Sequence, residues 1–146
     1  MNKVIYNILN IFDFDINQSF IQLHATSPLL RQQTIDKAIK KYYSKKKFDS
    51  LFSITENQKR YWIYKNKKII PYNHKLESSP TTQNLKKIYE ENSGFYIFSK
   101  KSFLHNKNNR IGKFPQIYKL SKIESIDIDD KDDFKIAKSI ISAGSI

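Results

Sequence analysis

Short apolar runs of strand length alternate with stretches of helical periodicity along almost the whole chain. The run "SFIQLHA" (19–25) predicts a buried strand, the turn-forming "TSP" (26–28) ends it, and residues 33–43 carry apolar side chains at helical spacing. Strand, loop and helix in this order form half of an α/β unit. The alternation predicts an α/β fold with a mixed, mostly parallel sheet, in a single domain over 1–146.

The other elements follow from the same patterns. We expect helices at 2–12, 83–90 and 132–143, a helical turn at 102–106, and further strands at 50–56, 94–99, 116–121 and 125–129. Residues 61–73 predict a hairpin that turns at Lys65-Asn66, followed by a loop at 74–82, and 106–112 predict an exposed loop. The expected buried faces are Ile35, Ala38, Ile39 and Tyr42 in the second helix, Val4, Ile5, Ile8, Leu9 and Phe12 in the first, and Phe134, Ala137, Ile140 and Ile141 in the last.

Composition narrows the functional classes. The chain has no cysteine, which excludes a disulfide framework, thiolate metal ligands and a cysteine nucleophile, and fits a reducing compartment. The first 17 residues lack the apolar run and cleavage site of a signal peptide, and no segment approaches the ~20 apolar residues of a membrane span. We therefore expect a cytoplasmic protein without a membrane partner.

The formal charge is +12, from 26 Lys and Arg against 14 Asp and Glu, but only Arg31, Arg60 and Arg110 are arginines. Surfaces that recognise bases and phosphates favour arginine for its forked guanidinium, so the lysine excess argues against a nucleic-acid partner. We expect the basic runs at 40–47 and 64–68 to be solvated faces. The alternative is a non-catalytic protein that binds polyanions through Lys40, Lys41, Lys45, Lys46 and Lys47.

Five of the 14 acidic residues lie within "SIDIDDKDD" (125–133). On the predicted strand, Asp127 and Asp129 point to the same face about 7 Å apart, a span that one hydrated Mg²⁺ can bridge. Asp130, Asp132 and Asp133 instead have the spacing of a helix cap and an acidic first turn. Capping leaves Asp127 unexplained, so the residues alone leave Asp127 and Asp129 open between a metal site and a helix terminus.

Three segments, in this order, resemble the acylneuraminate cytidylyltransferase family of CMP-sialic acid synthetases and their relatives: "LHATSPLLRQQTIDKAI" (23–39), "ENSGFYIF" (91–98) and "SIDIDDKDDFKIA" (125–137). They match the TSPLR-type loop, the N-G-x-x-Y-type strand and the I-D-I-D-x-x-x-D ending of that family. The resemblance implies a nucleotide-diphosphosugar transferase-like fold with a small β-rich dimerisation subdomain, here at about 61–82. It also implies transfer of CMP from CTP to a sialic-acid-type keto sugar acid, with release of pyrophosphate.

The resemblance also implies roles for individual residues. Asp127 and Asp129 match the catalytic carboxylates that bind Mg²⁺. The substrate-binding residues that it implies are His24, Thr26, Ser27, Arg31, Asn92 and Tyr96. His24 stands where many members have a glutamine, and Thr82 where some have an arginine. Judged from the residues alone, His24 could equally be structural, Tyr96 a core aromatic, Arg31 a residue that caps a carbonyl, and Thr26-Ser27 a hydroxyl-stabilised turn.

Members of this family begin with a strand and a phosphate loop of the R-x-G-S-K type. The glycines of this chain, Gly94, Gly112 and Gly144, are scattered and none lies in such a loop. We therefore expect the C-terminal part of the fold, truncated at its N-terminal side, either as a homodimer or together with a second chain that supplies the nucleotide-binding half, without which the isolated chain would be inactive. A purely structural subunit of a complete enzyme stays open as an alternative.

Overall fold

The computed structural model describes residues 1–77 and 81–144. Four helices lie in this part of the chain: α1 Asn2–Ile11, α2 Gln32–Ser44, α3 Lys100–His105 and α4 Lys131–Ser142. The strands are β1 Ser19–Leu23, β2 Ser50–Asn57, β3 Trp62–Lys65, β4 Lys68–Pro71, β5 Ile88–Ser99 and β6 Pro115–Lys119. None of the described helices is long and apolar enough to cross a membrane.

The main sheet has the strand order β1-β5-β2-β6 and is mixed, as predicted. β1 pairs antiparallel with β5, so that Gln22 lies opposite Tyr96. β2 pairs parallel with β6, so that Ser53 lies opposite Tyr118. The parallel pair is joined through a crossover connection, as an α/β unit requires.

Alternating side chains of β5 supply the two sides of the core, because successive residues of a strand point to opposite faces. One buried cluster contains Phe95 and Ile97 together with Ala38, Tyr42, Leu51 and Leu120. The other contains Tyr96 and Phe98 together with Ile5, Leu9 and Phe103. Ala38 and Tyr42 are buried and Ile39 packs against the first cluster, which confirms the predicted inward face of α2.

The buried faces of α1 and α4 are narrower than predicted. Ile5 and Leu9 of α1 are buried, whereas Val4, Ile8 and Phe12 are exposed. In α4 Ala137 is buried, while Phe134 and Ile141 are exposed and line an open apolar groove with Pro28 and Ile128. Each helix therefore buries a single line of residues and not the wide apolar stripe that its periodicity suggested.

The predicted helix at 83–90 is wrong. A short 3-10 turn covers Thr82–Asn84, and β5 begins at Ile88. The carbonyls of Gln83 and Leu85 accept hydrogen bonds from the Gln58 side chain, and that of Lys86 accepts one from Asn73. These long-range side-chain bonds take the place of the bonds that a helix would form within itself.

The predicted strand at 125–129 is also absent. Residues 122–125 form a turn, in which Ser125 N–H donates to the Ser121 carbonyl at 3.0 Å, and 126–129 are irregular. The predicted loop at 106–112 is present but half-buried for the most part, because the Asn106 side chain donates to the Ile111 carbonyl and Gly112 N–H donates to Ser50 Oγ.

The predicted hairpin is present, with Asn66 and Lys67 in left-handed conformations at its turn, one residue further on than predicted. The described residues divide into two compact units, and Glu56–Glu90 form the second. The predicted insertion at about 61–82 lies within this second unit. Residues 78–80 of the predicted loop at 74–82 lie outside the described residues.

Candidate functional site

The loop after β1 and the acidic segment after β6 lie side by side. Ile128 N–H donates a hydrogen bond of 2.8 Å to the Thr26 carbonyl. The preceding turn is closed by Ser27 N–H, which donates to the His24 carbonyl at 3.2 Å, and Ser27 is buried. Two of the sequence motifs that predicted a site, 100 residues apart along the chain, therefore meet beyond the carboxyl ends of their strands, where ligands bind in α/β sheets.

Asp127 and Asp129 flank this contact. Oδ1 of Asp127 is buried and accepts no hydrogen bond from any described residue. Asp129 is exposed to solvent. Among the described residues no group of three or more metal-ligating side chains comes together. The strand that was predicted to place both carboxylates on one face is absent, so the structure offers Mg²⁺ one half-buried and one exposed carboxylate, donors of the type that this ion takes together with water and phosphate oxygens.

The other acidic residues of the segment cap α4, as predicted. The Asp130 side chain accepts hydrogen bonds from Asp132 N–H at 2.8 Å and Asp133 N–H at 2.9 Å. Asp133 Oδ2 in turn accepts from Asp130 N–H at 3.3 Å and from Asp129 N–H at 3.2 Å. These bonds satisfy amides of the first helical turn and of the two residues before it. Capping therefore occupies the side chains of Asp130 and Asp133 and leaves those of Asp127 and Asp129 available.

Glu124 anchors the acidic segment to the start of α2, and sequence reasoning missed it. Its carboxylate accepts hydrogen bonds from the Thr34 hydroxyl, from Ser121 Oγ at 3.0 Å and from Arg31 N–H at 3.4 Å. Burial acts to raise the pKa of Glu124, but these hydrogen bonds and the Arg31 charge outweigh it and hold the pKa below its usual value. Glu124 is therefore a charged anchor that fixes the turn leading to Asp127.

Tyr96 is fully buried in the core, and its ring lies 6.2 Å from that of His24. Its hydroxyl donates to Glu91 Oε1 and lies 3.3 Å from Ser93 Oγ. Burial raises the pKa of Tyr96, and the hydrogen bond to Glu91 raises it further. The phenol is thus a neutral donor committed to Glu91, and the ring face is the part of Tyr96 that meets other groups of the site.

Arg110, from the loop at 106–112, covers that ring face. Its guanidinium carbon lies 3.6 Å from the ring centroid of Tyr96. Nη1 donates to Gln22 Oε1 at 3.0 Å, and Nη2 lies 4.0 Å from Glu91 Oε1. Sequence reasoning did not assign Arg110, Gln22 or Glu91 to the site. The available signal was that Arg110 is one of three arginines in a lysine-rich chain.

Arg110 also fixes the state of His24. A guanidinium can only donate hydrogen bonds, so the Gln22 amide must turn its oxygen to Arg110 and its nitrogen to His24. Gln22 Nε2 lies 3.0 Å from His24 Nε2, which therefore accepts. Neutral His24 then carries its proton on Nδ1. His24 thus presents an N–H donor on Nδ1.

Asn92 and Arg31 have different surroundings. The Asn92 side chain accepts from Ser53 Oγ at 2.6 Å and donates to Thr55 Oγ1 at 3.0 Å, so it ties β5 to β2. Arg31 is the N-cap residue of α2, and its side chain is exposed. The structure therefore brings Thr26, Ser27 and the Asp127–Asp129 segment together, places His24 beside Tyr96, and occupies Asn92 with structural bonds.

No family model matches this sequence. Individual proteins are similar to it in sequence. The N-acylneuraminate cytidylyltransferase of Streptococcus agalactiae is 28% identical over 134 residues, which cover 88% of this chain and 32% of the relative. The enzyme of the same name from Escherichia coli is 30% identical over 127 residues, 84% of this chain and 30% of the relative.

Over most of its length the chain is similar in sequence to N-acylneuraminate cytidylyltransferases. Its relatives by sequence are therefore nucleotidyltransferases. The chain spans about a third of the length of these relatives.

A solved structure has the same fold. The 2-C-methyl-D-erythritol 4-phosphate cytidylyltransferase of Francisella tularensis aligns with a TM-score of 0.66 and 13% identity, over 94% of this chain and 66% of that one. The predicted fold class, a nucleotide-diphosphosugar transferase-like α/β fold, is confirmed.

Proposed function

We propose that this chain forms the sugar-acid and metal side of a cytidylyltransferase site, in which CMP passes from CTP to a sialic-acid-type keto sugar acid and pyrophosphate leaves. The observation that carries the proposal is the hydrogen bond between Ile128 and Thr26, because it joins two of the motifs in which the sequence resembles that family. The names of those relatives supply the reaction, and the position beyond the strand ends supports a ligand site.

Asp127 and Asp129 would hold Mg²⁺. The support is the buried oxygen of Asp127 that lacks a hydrogen-bond partner and the exposed carboxylate of Asp129 two residues away. When bound, the cation would neutralise charge that develops on the phosphates of CTP. The protein's own part is to hold the two carboxylates in place, which Glu124 and the capping bonds of Asp133 do from either side.

The sugar acid would lie against the loop after β1. His24 offers an N–H donor, and the Thr26 side chain is exposed beside the acidic segment. Ser27 and Arg31 shape the loop and the start of α2, while the buried ring of Tyr96 supports Arg110 and lies beside His24. Asn92 contributes by holding β5 on β2, and Tyr96 projects from β5.

CTP needs groups that these 146 residues do not offer. A triphosphate is commonly cradled by backbone amides of a glycine-rich loop, and the three glycines of this chain lie in other contexts. We propose that a segment of different sequence supplies this part, and that the chain forms a homodimer with the β3–β4 hairpin as the contact. The absence of cysteine fits a cytoplasmic setting for the assembly.

Pyrophosphate release tests the proposal. The protein, purified in the assembly in which it occurs, is mixed with CTP, Mg²⁺ and N-acetylneuraminate. We expect release that requires both Mg²⁺ and the sugar acid, and a loss of about 100-fold or more in Asp127→Asn and Asp129→Asn. The matched control is Asp132→Asn, because Asp132 lies in the same acidic stretch but pairs with Lys135.

The variants separate a metal site from a helix terminus. Full activity in Asp127→Asn and Asp129→Asn would contradict their metal role. Equal losses in all three variants would indicate that the stretch acts through the stability of α4. No release from the unaltered assembly with this sugar acid would contradict the transfer itself.

A further inference from the structure

The loop that carries Arg110 is fixed on both sides of the arginine. Before it, Asn109 Oδ1 accepts from Ile111 N–H at 3.0 Å. After it, the Asp49 carboxylate accepts from Lys113 N–H at 2.8 Å and from Phe114 N–H at 3.1 Å. A guanidinium on such a loop keeps its position, so Arg110 is not a freely moving surface cation.

The guanidinium is also largely withdrawn from water yet retains unused donors. The Arg110 side chain is 15% exposed. It makes one hydrogen bond among the described residues, to Gln22, although a guanidinium has five N–H groups. Its contact with Glu91 is at the outer limit of an ion pair, at 4.0 Å. Stacking on Tyr96 fixes the plane of the guanidinium. The N–H groups along the edge of that plane remain able to donate hydrogen bonds to a ligand.

Such an edge suits a carboxylate. Planar guanidinium and carboxylate groups form two parallel charge-assisted hydrogen bonds, which an ammonium cannot reproduce. His24 is joined to Arg110 through the Gln22 amide and carries a further N–H on its other ring nitrogen. We propose that Arg110, assisted by His24, binds the carboxylate of the sugar acid and so selects acids over neutral sugars. This inference rests on the proposed function, because that function supplies the acidic substrate.

Glu91 is the built-in competitor for this position. Its side chain is 44% exposed, and its Oε1 both accepts from Tyr96 and faces Arg110. In the free protein it partly neutralises the guanidinium, and a substrate carboxylate must share or displace that contact. Replacing Glu91 by glutamine keeps an acceptor for Tyr96 but removes the competing charge. If Arg110 binds the substrate carboxylate, Glu91→Gln should bind acids more tightly. If Arg110 and Glu91 form only a structural ion pair, Glu91→Gln should not change the affinity for acids.

Calorimetric titration with two matched probes tests the inference. The probes are N-acetylneuraminate and its methyl ester, which differ in the charge of the carboxyl group and in one added methyl group. The unaltered protein is expected to bind the acid at least tenfold more tightly than the ester. Arg110→Gln should lower the affinity for the acid to that for the ester and leave the affinity for the ester unchanged. Glu91→Gln should raise the affinity for the acid severalfold. Arg60→Gln, which removes the same charge from the second unit, should change neither.

Other outcomes would overturn the inference in distinguishable ways. If Arg110→Gln lowers the affinities for acid and ester equally, the role of Arg110 is structural. Acid and ester bound alike by the unaltered protein would remove the carboxylate site and leave the proposed function standing. Failure to bind either probe would overturn both. If circular dichroism shows that Arg110→Gln is unfolded, Glu91→Gln decides, because no gain in acid affinity contradicts the proposal.

Discussion

Asp127 has a carboxylate oxygen that is buried without a hydrogen-bond partner. Such an oxygen lowers the free energy of unfolding, since its lost hydration is not replaced. We expect Asp127→Asn to raise the free energy of unfolding in Mg²⁺-free buffer by about 1 kcal/mol, measured by urea denaturation. The exposed Asp129→Asn is the control and should change it by less than about 0.5 kcal/mol.

With Mg²⁺ present, the unaltered protein should gain stability relative to Asp127→Asn. A ligand that binds only the folded state stabilises it, so Mg²⁺ is expected to raise the stability of the unaltered protein and not that of Asp127→Asn. Destabilisation by Asp127→Asn in Mg²⁺-free buffer would show that this carboxylate has a structural partner. It would then no longer support a metal site.

Gly112 is required by the Asp49 side chain that fixes the Arg110 loop. A Cβ at Gly112 would lie 2.1 Å from Asp49 Oδ1. We expect Gly112→Ala to lower the free energy of unfolding by roughly 2 kcal/mol, because the carboxylate must move away from the amides that it accepts from. In an Asp49→Ala background the same change should cost much less, as a double-mutant cycle would measure. Equal costs in the two backgrounds would mean that the clash is relieved elsewhere.

Residues with local partners could be predicted from the sequence, and residues with distant partners could not. The capping pair Asp130 and Asp133 was predictable, since its bonds join residues three apart. Glu124 bonds to residues about 90 positions away, and Arg110 bonds to Gln22. Nothing in the neighbourhood of Glu124 in the sequence indicates such a partner.

At the scale of elements, the start of α2 depends on the charge of Glu124. Its folded pKa lies below the ordinary value of 4.5 because hydrogen bonds and Arg31 outweigh its burial. A carboxyl with a lowered folded pKa adds stability that is complete above its unfolded pKa and is lost as pH falls through the folded pKa. We expect the unaltered protein to lose stability below about pH 4.5.

Glu124→Gln isolates that contribution. The variant should be less stable at neutral pH and should show a shallower decline of the free energy of unfolding below about pH 4.5, as urea denaturation at several pH values would measure. Glu77→Gln, an exposed position, serves as the control. An unchanged decline in Glu124→Gln would place the acid sensitivity on other carboxylates.

Elements were predictable where periodicity and pairing agree. In the hairpin the two predicted strands pair with each other, and in α2 the periodic apolar face packs on the core. The segment at 83–90 has helical spacing but gives its carbonyls to Gln58 and Asn73, and 125–129 alternates like a strand but follows β6 at the edge of the sheet. In both cases the competing partners belong to distant parts of the chain, which local patterns do not reveal.

At the scale of the whole molecule, the β3–β4 hairpin is the expected dimer contact. Its cross-strand pair Tyr64 and Ile69 is exposed, at 73% and 67%. Exposed apolar side chains on a short sheet favour self-association. We expect a concentration-dependent dimer in sedimentation velocity, weakened at least tenfold by Tyr64→Glu with Ile69→Glu. The matched control is Tyr43→Glu, an exposed tyrosine of α2. A monomer at all concentrations, or equal loss in the control, would contradict this contact.

The fold class was predictable at this scale because strands and helices alternate along the whole chain. The division into two units was harder to predict, because it depends on the contacts that residues 56–90 make among themselves. The candidate site residues come from three short motifs, whereas Arg110, which stacks on Tyr96, comes from a loop that the sequence predicted to be exposed.

Phosphorus NMR of the reaction mixture tests the central claim most directly. The protein in its assembly is incubated with CTP, Mg²⁺ and N-acetylneuraminate, and the phosphorus resonances are followed. We predict that pyrophosphate and a CMP phosphodiester of the sugar acid appear in equal amounts, and that neither appears when the sugar acid is omitted. Unchanged CTP, or hydrolysis of CTP that does not depend on the sugar acid, would contradict the assignment of this chain to a sugar-acid cytidylyltransferase site.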